Sequence, residues 1–198
     1  MPKFTMILPT HNGAPHIRKA LDSIAAQTYK NYELICVCDA CDDGTEEICR
    51  SYGARVEPVS FACAGLSRNR GLELATGEWL LFMDDDDWLL HEYVFQLIAD
   101  NVGRRGEDIL AMSFIWRGVG YAVQTPQQLF VAVWNKAWRR AFVGDTRFSD
   151  KKYGDDADFH NAMLAKNPKM AFWDTPIYYY DYLRPGSLSH RMKTTGHV

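Results

Sequence analysis

The sequence predicts an α/β fold, a single domain over residues 1–198 with a mostly parallel central sheet flanked by helices. Three observations predict it. Apolar, strand-like runs alternate with helix-period segments through the first hundred residues. Polar clusters follow directly on several of those runs. A chain of 198 residues that is 47% apolar suffices for one core and little more.

Phe4 to Leu8 reads as a buried strand, stopped by Pro9. Residues 14–28 carry helical periodicity through Ile17, Ala20, Leu21 and Ile24. Glu33 to Asp39 is a second strand, and the turn Asp42-Asp43-Gly44-Thr45 opens a helix through Ile48. Ala54 to Ser60 gives a third strand. Residues 66–76 form a helix, with Gly77 in the C-cap position. Trp79 to Met83 is a fourth strand, ending in Asp84-Asp85-Asp86-Asp87, and a helix over about 89–101 follows. The second half is less regular. Ile109 to Trp116 reads as a strand, 126–133 as a short helix, and 155–166 as a helix with Phe159, Met163 and Leu164 inward. Met170 to Trp173 and Ile177 to Tyr182 read as short strands around Thr175-Pro176.

Composition narrows the class. The 13% aromatic content and six Trp exclude a disordered chain. Five Cys, an odd number without a framework, read as reduced thiols in a cytoplasmic protein. Cys36 and Cys38 fall on one face of a strand, and no second CxxC pair exists for zinc. Met1-Pro2-Lys3-Phe4 leads into a strand with no signal peptide, and no apolar run is long enough for a transmembrane segment. Residues 1–100 hold 8 basic against 16 acidic residues; residues 101–198 hold 14 against 9. That asymmetry predicts different ligands for the two halves.

Ligands of parallel sheets sit beyond the carboxyl ends of the strands. Thr10-His11-Asn12, Asp39 and the aspartate run all fall there. Adjacent like charges repel unless a cation or solvent offsets them. Hard cations take oxygen ligands, and Mg2+ shares one or two carboxylates with substrate phosphates. The sequence has no Gly-rich phosphate loop of the GxGxxG or GxxxxGK type, so diphosphate binding falls to metal and side chains.

Several stretches resemble family 2 glycosyltransferases, which have the GT-A (Rossmann-like) fold. They are Met6-Ile7-Leu8-Pro9-Thr10-His11-Asn12, Leu21 to Tyr29, Glu33 to Thr45, Gly65-Leu66-Ser67-Arg68-Asn69 and Gly77 to Asp87. Weaker matches follow at Trp134-Asn135-Lys136, Asp145 to Phe148, Gly154-Asp155-Asp156 and Ser187-Leu188-Ser189-His190. The resemblance implies a nucleotide-sugar-binding half over 1–100 and an acceptor-binding half over 101–198. It assigns the base pocket to Pro9, Thr10, Asn12 and Asp39, and a place near the nucleotide to Arg68. Asp84 and Asp85 fall where ribose and sugar are contacted. Asp86 falls on the metal-binding aspartate, with His190 as a further metal or diphosphate contact, and Asp155 and Asp156 on the acidic pair that supplies the catalytic base.

The implied reaction is a metal-dependent transfer, with Mn2+ or Mg2+, of a sugar from a UDP-sugar to an acceptor hydroxyl with inversion. Departures from the family pattern are Cys38 in place of the first of two adjacent aspartates and Asp155 in place of Glu. Family members often carry C-terminal membrane helices, and a chain ending at Val198 without them favours a lipid acceptor less. A saccharide acceptor is expected first. The basic second half, with Lys136, Arg139, Arg140, Arg147, Lys151, Lys152 and Arg184, also permits an anionic acceptor such as nucleic acid. Nucleotidyltransfer is disfavoured because no Lys or Arg accompanies His11-Asn12-Gly13-Ala14; a non-catalytic nucleotide-sugar-binding domain is the remaining alternative.

Overall fold

The computed structural model describes residues 1–181. In chain order the elements are β1 (Phe4–Thr10), α1 (Ile17–Ala25), β2 (Tyr32–Asp39), α2 (Thr45–Ser51), β3 (Arg55–Val59), α3 (Ala64–Leu74), β4 (Trp79–Phe82), β5 (Trp88–Leu89), α4 (Val94–Asn101), β6 (Ile109–Trp116), β7 (Gly120–Ala122), β8 (Lys136–Arg139), α5 (Arg140–Val143), α6 (Asp155–Leu164) and β9 (Met170–Tyr180). The strands form one nine-stranded sheet ordered β3-β2-β1-β4-β8-β6-β9-β5, with β7 on β6.

The sheet has a parallel half and a mixed half. β3, β2, β1 and β4 pair in parallel. β8 then runs antiparallel to both β4 and β6, while β9 is parallel to β6 and β5 antiparallel to β9. The expectation of a mostly parallel sheet flanked by helices therefore describes the first half closely. In the second half, β5, β7 and β8 run against the common direction.

Alternation along β1 fixes the two layers. Every residue of β1 is buried, as expected for a strand covered on both faces. Phe4 points to a cluster with Tyr29 and Phe95, which also meets Tyr32. Ile7, on the opposite face, sits in register with Phe82, whose ring meets Phe148 and Phe159. Ile7 also lies directly under Gly71 of α3, where any Cβ would collide with it. Helix α3 therefore lies close on the sheet and carries the residues next to Gly71 toward the strand ends. Buried Ile17, Ala20, Leu21 and Ile24 of α1 follow the helical period expected from the sequence.

Three local expectations are corrected. Helix α3 ends at Leu74 with an extended C-cap at Ala75, so Gly77 is not a cap. A Cβ at Gly77 would lie within 2.7 Å of Thr5 N, Phe4 C and Thr5 Oγ1, so close approach of the turn to β1 is what requires glycine. Residues 126–133 form no helix; Thr125 and Gln128 make an isolated bridge there. The two short strands around Thr175-Pro176 are one strand, β9, with register shifts opposite Met112, Ser113 and Phe114. Tyr182, the expected strand end, lies outside the described residues. The Gly77 contact yields a prediction. Gly77→Ala should lower the Tm by about 3–10 °C, as overpacking against backbone costs about 1–3 kcal/mol. An unchanged melting curve would mean that the turn relaxes freely away from β1.

Candidate active site

The carboxyl ends of β1, β2 and β4 bring Thr10, Asp39 and Asp84 to one edge of the sheet. The N-terminus of α6 brings Asp155 and Asp156 to the same place. Backbone strain gathers here too. Asn12, Ala40 and Ala62 adopt positive φ of 52°, 50° and 53°, a conformation non-glycine residues hold only where the surroundings over-determine it.

Arg68 is the hub. It is 6% exposed, so its charge needs partners. Nη1 donates to Asp155 Oδ2 at 2.7 Å and Nη2 to Asp84 Oδ1 at 2.8 Å. Asp156 Oδ1 lies 3.2 Å from Nη1 as an ion pair without hydrogen-bond alignment. One guanidinium thus joins the aspartate run to the acidic pair, reaching Asp155 from 87 residues earlier in the sequence. Burial pushes the Asp156 carboxyl up; Arg68 opposes this and Asp84 and Asp155 add to it, leaving it at about 6. Burial also raises Asp84, against the pull of Arg68. Arg68 itself is held protonated by the surrounding carboxylates in spite of its burial.

Within the run of four consecutive aspartates, Asp84, Asp85 and Asp87 do not gather on one point. They fan out to different partners, and that dispersal relieves their repulsion. Asp84 faces Arg68. Asp85 accepts from Thr10 Oγ1 at 2.5 Å and lies 3.1 Å from His16 Nε2. Asp87 is fully buried, accepting from Tyr178 Oη at 2.8 Å and from the Asp181 amide at 2.7 Å. Burial, with Asp86 and Asp84 adding to it, raises the Asp87 carboxyl well above its usual range. Asp86 is half-buried between them.

Among the described residues no three or more His, Cys, Asp or Glu side chains are arranged to hold a metal ion. The carboxylate of Asp86 supplies hard oxygen donors of the kind Mg2+ or Mn2+ takes, with substrate phosphates and water for the remaining positions. His190 lies outside the described residues.

Asp39 is placed differently from a free base-binding group. Oδ1 accepts from the amides of Phe61 (2.7 Å) and Ala62 (2.9 Å), and Oδ2 from the Cys63 amide and Ser67 Oγ, both at 3.0 Å. These donors use the acceptor positions of the carboxylate. Burial pushes Asp39 up, but the amides and Ser67 outweigh it and hold the group ionised below its usual range. The side chain shapes loop 60–63 and the start of α3. Asn12 Oδ1 accepts from the Asp42 amide at 2.9 Å, and Cys41 Sγ bridges the Asn12 amide and the Thr10 carbonyl. Pro9 is paired with Val37 in the sheet just below.

Among the described residues, the basic side chains named in the second half go to separate partners, Lys152 lying over the Tyr153 ring. Lys136 is fully buried, Arg139 pairs with Asp108, Lys151 pairs with Asp158, and Arg140 and Arg147 donate to backbone carbonyls. Arg184 lies outside the described residues. The role of Lys136 was hidden in the sequence, because a buried lysine there reads as surface charge.

A profile of glycosyl transferase family 2 matches residues 5–168. Glycosyltransferase GlyA of Streptococcus pneumoniae serotype 4 is 27% identical over 222 aligned positions, covering 94% of this chain and 31% of that protein. Among solved structures, S. aureus TarS 1–349 in complex with UDP-GlcNAc superposes with a TM-score of 0.79 at 24% identity, covering 90% of this chain and 58% of that one. The mannosyltransferase PcManGT from Pyrobaculum calidifontis, in complex with GDP-Man and Mn2+, gives 0.76 at 18% identity, covering 99% and 61%. These two likenesses show the shared GT-A fold. The chain spans less than two thirds of the length of the curated relatives it matches. No helix among the described residues is long and apolar enough to cross a membrane.

Proposed function

Because the chain belongs to glycosyl transferase family 2, we propose that it transfers a sugar from a UDP-sugar to an acceptor hydroxyl, with inversion and with help from a divalent cation. The observation that carries this reading is the Arg68 hub, which holds the carboxylate of Asp156 beside the strand-end edge where a donor would bind. TarS binding UDP-GlcNAc and PcManGT binding GDP-Man with Mn2+ support a nucleotide-sugar donor and a metal. Five free thiols fit a reducing, cytoplasmic compartment.

Residues 1–100 hold the donor and the rest supplies the acceptor side. Thr10 and Asn12, with Pro9 beneath them, wall the base pocket. Asp39 contributes by fixing loop 60–63. Asp84 and Asp85 position ribose and sugar, and Arg68 holds Asp84 in place. Asp86, with His190, would hold Mg2+ or Mn2+, which when bound supplies positive charge to the departing diphosphate. Asp156 takes the proton of the acceptor hydroxyl. That oxygen forms its bond to the anomeric carbon on the face opposite the diphosphate, whose bond to the carbon breaks, inverting configuration. With its carboxyl at about 6, Asp156 is ionised near neutral pH yet basic enough to accept a proton. Asp155 orients Arg68 beside it.

The acceptor reading favours a saccharide. Among the described residues Lys136 is buried and Arg139 and Lys151 are paired, which favours a saccharide over an anionic acceptor. A donor screen for nucleotide diphosphate release, with and without candidate acceptors, tests the activity. Calorimetry tests the metal: Asp86→Ala, or removal of Mn2+ by chelation, should weaken UDP binding by about tenfold or more. Equal affinity with and without the carboxylate would remove Asp86 from that role.

A further inference from the structure

Lys136, the first residue of β8, is fully buried, a rare place for a lysine. All three of its donors are used. Nζ donates to the carbonyls of Phe130 (2.5 Å) and Ala132 (2.7 Å) and to Asn135 Oδ1 (2.8 Å). Trp138 Nε1 adds a hydrogen bond to the Val133 carbonyl at 3.0 Å, and Gln124 Oε1 accepts from the Phe130 amide at 2.8 Å. Segment 130–133 has no regular structure of its own, so these side chains fix it. Its Val133 amide points at Asp156 Oδ2, 3.4 Å away, a long contact of the kind catalytic groups show before substrate tightens them.

We propose that Lys136 is a positioning residue for Asp156: by fastening the carbonyls of Phe130 and Ala132 it sets both the Val133 amide and its own positive charge against the Asp156 carboxylate. This rests on the reading of Asp156 as the base. The charged groups around Asp156 are Arg68 from α3, Asp84 from the end of β4, Asp155 from its own helix and Lys136 from β8. Burial lowers the Lys136 amine to about 7 while Asp156 opposes the shift, so the two charges feel each other. His160, one turn along α6, is held neutral by its own burial and by Lys136, at about 4.

The test compares the full chain with Lys136→Met, which removes donors and charge, and Lys136→Gln, which keeps two of the three donors and removes charge. Two NMR readouts need neither donor nor acceptor: the exchange rate of the Val133 amide, and the titration midpoint of the Asp156 carboxyl carbon. Lys136→Met should speed Val133 exchange about tenfold or more relative to the core of β1, and raise the Asp156 midpoint by about half a pH unit or more. Lys136→Gln should keep Val133 exchange within about threefold of wild type while still raising the midpoint. If Lys136→Met does not fold, the Gln variant decides alone. An unmoved Asp156 midpoint in the Gln variant, or unchanged Val133 exchange in the Met variant, overturns the proposal. The base reading is judged separately, by sugar transfer in Asp156→Asn, so its failure is distinguishable from failure of the positioning role.

Discussion

Asp156→Asn should lower sugar transfer by about 10²–10⁴-fold while UDP and Mn2+ still bind within about threefold of wild type. The amide matches the carboxylate in size and can still accept from Val133, so the fold loses little. What it loses is basicity. The wild-type group is set for the task by opposing influences: burial raises it, Arg68 lowers it, and Asp84 and Asp155 raise it again, to about 6. The sign of the pH dependence follows. The base works when ionised, so transfer should be full above about pH 7 and fall as pH drops through about 6. Near wild-type transfer by Asp156→Asn, or a rate flat from pH 5 to 8, would remove Asp156 from the chemistry.

Arg68→Met should be the most destabilising substitution in the site. It leaves Asp84, Asp155 and Asp156 facing one another without the guanidinium between them. Breaking a buried pair of this kind costs about 3–5 kcal/mol, or about 10 °C in Tm for a domain of this size. The loss should shrink toward acid. Without Arg68 the folded-state carboxyls of Asp84 and Asp156, already raised by burial, rise further above their unfolded values. A folded state that binds protons more tightly gains stability as pH falls. The gap in Tm between wild type and variant should therefore be wider at pH 8 than at pH 5. A gap equal at both pH values would mean that packing against Phe148, 5.6 Å away, is what the arginine provides.

These expectations rest on side-chain partners that the sequence shows only unevenly. The first four strands and three helices were legible because each is an apolar run or a clean helical period closed by a turn. Placing Thr10, Asp39 and Asp84 at one edge follows from that alone. The division of labour among the aspartates was not legible. Asp85 and Asp87 look identical in sequence, yet one meets Thr10 and His16 and the other Tyr178, through contacts spanning 75 and 91 residues. Asp39 was legible as a strand-end carboxylate but not as the acceptor for three amides, because those come from a loop 22 to 24 residues later. In the second half, the helical pattern over residues 126–133 is overridden by Lys136, Gln124 and Trp138 holding the backbone. Strand β8 was missed because four residues, Lys-Ala-Trp-Arg, show no alternation.

That short strand has a consequence for how the chain assembles. β4 and β6 are both made before β8, yet they are not neighbours; β8 is inserted between them and pairs with each. Until it docks, two strand edges stand open, and open edges recruit other chains. The insert is well chosen against that hazard. In solvent its two ends, Lys136 and Arg139, are full positive charges flanking only Ala137 and Trp138, a segment too short and too charged to join a stray sheet. Once seated, Lys136 caps a run of carbonyls and Arg139 meets Asp108, so the charges that guard the newborn strand become its fastenings.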